Sequence, residues 1–232
     1  MVPVLSALAI VPSAPVMVPE LASGAAAETA DLRAAALEAV RGLPARWIAI
    51  GVAEQDGVYG PDRAGTFGGY GVDIRVALSP EATTSAPTAL PLCALICGWL
   101  RGQARPDARV EARAYRAEHA GPVALGFGAR LREQIDADAA DIGVVIVADG
   151  ANTLTPAAPG GYDEDSPTVQ SALDDALAAG DCAALTRLPS GVLGRVAYQV
   201  LAGLAGTGPR TAAELYRGAP YGVGYFAGVW TP

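Results

Sequence analysis

The sequence predicts a three-layer α/β fold, a single domain over residues 1–232 with helices on both faces of a central mixed β-sheet. Three observations carry that expectation. Leu5–Val11, Trp47–Val52 and Ile142–Ala148 are short apolar runs without alternation, the pattern of strands covered on both faces. Segments with apolar residues at helical spacing lie between them. Val72–Leu78 and Arg109–Tyr115 alternate, as half-exposed strands do, which makes the sheet mixed rather than purely parallel.

Each element follows from its residues. Leu5–Val11 ends at the loop Pro12-Ser13-Ala14-Pro15. A helix is expected from about Ala30 to Arg41, with Leu32, Ala36, Leu37 and Val40 on one face, stopped by Gly42 and Pro44. Trp47–Val52 opens into the polar loop Glu54-Gln55-Asp56-Gly57. Gly65–Gly71 is expected to be irregular; no helix pattern follows it, so its glycines are no dinucleotide fingerprint. Leu90–Leu100 and Val123–Ile135 read as helices, and Arg109–Tyr115 as an edge strand. Ile142–Ala148 is the central strand, broken by Asp149-Gly150 and followed by Asn152, Thr153 and Thr155. Open α/β sheets place ligands at such carboxyl ends. Ser166–Ala179, started by Ser166-Pro167 and ended by Gly180, is an amphipathic helix; Ala183–Leu188 and Val192–Leu204 are also helical. Gly222–Trp230 closes the sheet.

Composition narrows the function. A net charge of -8 and a pI near 4.6 exclude nucleic acid and anionic membrane as expected partners, since both require basic surface. All 16 basic residues are Arg. No apolar run reaches the ~18 residues of a membrane span. The apolar N-terminus lacks a basic leader region and is broken by Pro3, Pro12, Pro15 and Pro19, so the expected location is cytoplasmic. Three Cys make no disulfide framework; Cys93 and Cys97 fall in an apolar helical stretch, where Cys packs as a small hydrophobe.

Four stretches together resemble one family. They are Pro12-Ser13-Ala14-Pro15 after the first strand, IAIGVAEQDG at the second, Asp149–Leu154 with Pro159 and Tyr162-Asp163 after the central strand, and Gly218-Ala219-Pro220-Tyr221-Gly222-Val223-Gly224-Tyr225 near the C-terminus. In order, they resemble the Pro-His-Pro-Pro, Ser-Pro-His-Gly, Ser-Gly-Asp-Leu-Ser-His and Glu-Gly-Pro-Phe-Gly-Val-Gly-Tyr motifs of the LigB-type class III extradiol ring-cleavage dioxygenases. The resemblance runs nearly the length of the chain and implies a LigB-like fold. The family holds ferrous iron with two His and one Glu and uses a further His as acid/base. At the matching positions this chain has Ser13, Ala53, Gly218, and Thr153 or Leu154. It has one His in all, His119, outside every motif and expected in a surface loop.

The resemblance therefore implies a scaffold that has lost its iron-binding residues, with no cofactor, no metal and no catalytic residue assigned. The expected function is non-catalytic small-molecule binding or an interaction role; a homo-oligomer stays open. The alternative is an enzyme whose chemistry has moved to other residues, or an atypical aromatic ring-cleavage dioxygenase. By the family pattern, Ser13, Ala53, Glu54, Asp149, Asn152, Thr153, Gly218 and Tyr221 converge on one cleft, with Arg217, and with Arg195 and Tyr198 from a neighbouring helix. Their oxygens could hold Mg²⁺ or Ca²⁺, although Asp-Gly and Asn-Thr are equally ordinary turn residues. Ser13 has no His base to make it a nucleophile. Ser13, Ala53 and Gly218 are smaller than the groups they replace, so a void is expected among them.

Overall fold

A computed structural model describes residues 5–232; Pro3, one of the prolines that interrupt the N-terminus, lies outside the described residues. Seven strands form one mixed sheet in the order β3-β6-β2-β7-β1-β9-β8. They are β1 (Leu5–Val11), β2 (Arg46–Ala53), β3 (Gly57–Tyr59), β6 (Arg109–Arg116), β7 (Ile142–Val147), β8 (Thr211–Gly218) and β9 (Tyr225–Thr231). The block β6-β2-β7-β1 is parallel throughout, and the remaining three strands pair antiparallel. β7 lies at the centre, with all six of its residues buried.

Two apolar layers explain why the inner strands do not alternate in polarity. Ala9, Val11, Trp47, Ala49, Val145 and Val147 point to one face, where α2 (Ala30–Arg41) and α3 (Leu92–Ala104) pack. Their neighbours Leu8, Ile10, Ile48, Ile50, Val144 and Ile146 point to the other. That face is covered by α4 (Gly121–Asp136), α5 (Ser166–Ala179), α6 (Cys182–Leu185) and α7 (Arg195–Ala205). Each residue of such a strand meets a helix layer, so each must be apolar. Cys93 and Cys97 belong to the first layer, and burial pushes the Cys93 thiol up to about 12. A side chain at Gly51 would collide with Cys93, so this glycine lets α3 lie directly on β2. A short helix, α1 (Pro19–Ala22), precedes α2. No helix among the described residues is long and apolar enough to cross a membrane.

Several expected boundaries move. Val72–Leu78 is not one strand and Gly65–Gly71 is not wholly irregular. Instead β4 (Ala64–Thr66) and β5 (Arg75–Ala77) form a hairpin around a 3₁₀ turn at Phe67–Tyr70. The Thr66 hydroxyl caps that turn, and Gly71 at φ 103° allows it to close. β6 is not the sheet edge, because β3 covers Ala112–Ala114. Thr211–Gly218 carries no strand signal in its sequence, since TAAELYRG neither alternates nor carries β-branched residues beyond Thr211. It forms the other edge by pairing with β9, with an irregularity at Leu215 that blunts it.

Candidate functional site

The parallel block sends the carboxyl ends of β1, β2, β6 and β7 to one edge of the sheet. A recess of about 250 Å³ opens there, lined by Ser13, Val52, Ala117, Ala148, Asp149 and the Leu193-Gly194 turn before α7, among others. A second recess, about 380 Å³, is lined by Ala53, Glu54, Gln55, Tyr59 and Tyr70 with the Ala89–Leu92 segment. Val52 and Leu92 line both, so the two recesses adjoin across a shared apolar wall and are taken together as one cleft.

Asp149 sits at the floor of the first recess and is held on every side. Its carboxylate Oδ1 accepts from the Ser13 backbone N–H at 2.8 Å, and its backbone carbonyl accepts from the Gly194 N–H at 2.8 Å. Leu193 N–H donates to the Gly150 carbonyl at 3.0 Å. These two bonds occupy the turn before α7, which is why that helix starts at Arg195 rather than at Val192. The Tyr198 hydroxyl donates to the Ala148 carbonyl at 3.0 Å, bracing the end of β7. Asp149 Oδ2 has no hydrogen-bond partner among the described residues. No buried side-chain oxygen is left unpartnered, so this oxygen opens to the recess that Asp149 lines. Burial pushes the carboxyl from its ordinary 3.8 to about 7, against the opposing Ser13 hydrogen bond. At neutral pH the group is poised between acid and carboxylate.

Behind the loop stands a buried amide the sequence did not single out. Gln170 on α5 accepts from Ala151 N–H at 2.8 Å through Oε1 and donates through Nε2 to Asp174 Oδ1 at 2.8 Å. Side chains at Gly150 or Gly224 would strike its amide, so both glycines exist to admit it. Gly150 N–H donates to the Gly224 carbonyl and Gly224 N–H to the Ala151 carbonyl, each at 2.8 Å. The stretch before β9 therefore reaches the central loop through backbone. Gln170→Leu, which keeps the volume and removes both bonds, is expected to lower stability by about 1.5 kcal/mol. Chemical denaturation checks this, and an unchanged midpoint would show the clamp to be idle.

The expected site residues separate into two groups. Ser13 and Asp149 line the first recess, Ala53 and Glu54 the second. Asn152, Thr153, Gly218 and Tyr221 line neither, and the side chains of Thr153 and Tyr221 are committed elsewhere. Thr153 Oγ1 pairs with Ser166 Oγ at 2.5 Å, and the Asn152 carbonyl accepts from Gly160 N–H. The Tyr221 hydroxyl donates to Glu28 at 2.5 Å. Gly218 is paired with Tyr225 in the sheet, and the Tyr216 hydroxyl lies 2.5 Å from where a Cβ at Gly218 would be. The void expected at Gly218 is thus filled by Tyr216. Arg217 turns to Asp175 and Glu214. Arg195 and Tyr198 support the site without lining it: Arg195 donates to the carbonyls of Ala117 and His119.

His119 is not the solvated loop residue its sequence suggests. Its ring Nε2 lies 2.8 Å from Asp56 Oδ2, the ring meets Phe127 edge-on at 5.0 Å, and its side chain is 13% exposed. The pair ties the loop after β6 to the loop after β2 and so supports the rim that carries Ala117. The iron of the resembled family does not fit the residues present. Ser13 offers a hydroxyl, Ala53 a methyl and Gly218 no side chain, while His119 is engaged by Asp56. Among the described residues no three His, Cys, Asp or Glu side chains gather as metal ligands.

No protein-family model matches the chain, and no curated protein does. Its fold is similar to a solved structure, that of uncharacterized protein JW3007 from Escherichia coli K12. The TM-score is 0.59 at 10% identity, over 97% of this chain and 99% of that chain. At that identity the likeness is one of fold.

Proposed function

We propose that this chain is a small-molecule-binding protein built on a LigB-like scaffold that has lost its iron-binding residues, with its ligand seated against Asp149. One observation carries the proposal: a half-buried carboxyl with a free oxygen lines an open recess at the carboxyl ends of four parallel strands. The loop that presents it is fixed by Ser13, Gly194, Tyr198 and Gln170, more support than an idle turn requires. The same carboxyl also supports the second reading, an enzyme with relocated chemistry, because a group poised near neutrality suits acid–base work. Ligand consumption on incubation separates the two.

A metabolite panel read by thermal shift tests the proposal. A ligand at ~100 times its Kd adds about 2.7 kcal/mol, a shift of roughly 5–10 °C for a chain of this size. Ala117→Phe places an aromatic ring in the first recess from an exposed loop position and should change the melting temperature of the free protein little. It is expected to abolish the ligand-induced shift. A panel without hits, or hits indifferent to Ala117→Phe, would move the function to the surface of the molecule.

A further inference from the structure

We infer that the ligand of this cleft is an organic cation with an apolar body of roughly aromatic-ring size. The inference rests on the cleft being a binding site and adds the chemical class it takes. The residues lining its two recesses include two carboxyl groups, Asp149 in the first and Glu54 in the second, and neither Arg nor His lines either one. The nearby cations are committed to the rim. Arg195 is spent on the carbonyls of Ala117 and His119 and on Gln199, and Arg116 stands beside Asp56. A phosphate or carboxylate ligand would enter a partly desolvated cleft against like charge, with no counter-charge to receive it. The net charge of -8 adds to that repulsion.

A cation meets the opposite arrangement. Glu54 offers a carboxylate at the mouth of the second recess, and Tyr59 and Tyr70 line the same recess with aromatic rings, which attract ammonium groups. The Tyr70 ring is steadied edge-on by Phe67 at 6.0 Å. Val52 and Leu92, which border both recesses, carry no polar side chain, so they favour an apolar body and add nothing for a polar one. In the adjoining recess, Asp149 Oδ2 stands free to accept a hydrogen bond from a donor on the ligand.

Four probes of one shape and different charge test this on the full chain by titration calorimetry: phenethyltrimethylammonium, phenethylamine, phenethyl alcohol and 3-phenylpropanoate. The two cations are expected to bind at least ~10-fold more tightly than the alcohol, a difference of about 1.4 kcal/mol, with the propanoate weakest. Glu54→Gln, at an exposed loop position, should shrink the cation preference several-fold and leave the affinity for the alcohol unchanged. If the alcohol or the propanoate binds as tightly as the cations and Ala117→Phe blocks it, the cleft is a site but the cationic class is wrong. If none of the four binds at millimolar concentration, the cationic class is overturned, and the metabolite panel alone then decides whether the cleft binds anything.

Discussion

Asp149→Asn is expected to leave stability unchanged near pH 4 and to raise it at pH 8 by up to about 4 kcal/mol. The carboxyl titrates near 7 in the fold against an ordinary 3.8, because burial penalises its charged form more than the Ser13 N–H relieves it. The folded state therefore binds this proton more tightly than the unfolded chain does. The stability linked to that proton is complete below pH 3.8 and is lost as pH rises through about 7. At pH 8 the fold carries the full penalty of an ionised, partly buried carboxylate. Asparagine keeps an oxygen to accept from Ser13 and never ionises, so it removes the penalty without breaking the loop. Asp174, which burial pushes up to about 6, titrates in the same window, but it is present in both proteins and cancels in their difference. Urea denaturation of both proteins at pH 4, 6 and 8 makes the comparison. A difference that fails to grow with pH would falsify the raised titration of this carboxyl. A chain that keeps a destabilising carboxyl at the floor of an open recess bears the cost usually found at functional sites.

Gly128→Ala combined with Gly203→Ala should lower stability by about 3 kcal/mol, or roughly 6–12 °C in melting temperature. The two glycines lie on α4 and α7 where these helices cross. A Cβ at Gly128 would fall onto the Val200 carbonyl oxygen, and one at Gly203 onto that of Leu125. Both obstacles are backbone, which cannot rotate aside, so the helices must separate. Alanine's better helix propensity returns about 1 kcal/mol per site, too little to win against overpacking of ~1–3 kcal/mol at its upper end. Once one substitution has parted the helices the second costs less, so the pair should fall short of the sum of the singles. The consequence reaches the site as well, because the turn leading into α7 donates to the carbonyls of Asp149 and Gly150. A double variant as stable as the parent would mean that the crossing has slack at this point.

Three of the four strands that place the cleft, β1, β2 and β7, were legible because the signal that marks a strand buried on both faces is local. Arg109–Tyr115 was legible as a strand from its alternation, but as an edge, which it is not. Ile142–Ala148 reads as a central strand from its own residues, and it occupies the centre of the sheet. Asp149, immediately after it, was legible as a site candidate for the same reason: a polar residue at the carboxyl end of such a strand. Ser13, Ala53 and Glu54 were candidates as what the family resemblance implied, at the ends of the first two strands. Thr211–Gly218 was not legible, since an exposed edge strand is held by its partner β9 and its side chains carry little pattern of their own.

The amino-acid sequence by itself determined the layers, the order of the main elements, the acidic balance and the lack of histidines for a two-His iron site. Each is a property of residue type or of spacing along a helix or strand. The tertiary structure alone decided which of the candidate residues share a space. Thr153 is lost to Ser166, Tyr221 to Glu28, and the space beside Gly218 to Tyr216, while Gln170 and His119, distant in sequence, become the supports of the cleft. The physical reason is that a hydrogen bond or a filled void depends on where side chains 13 to 193 residues apart arrive, and no local period encodes that.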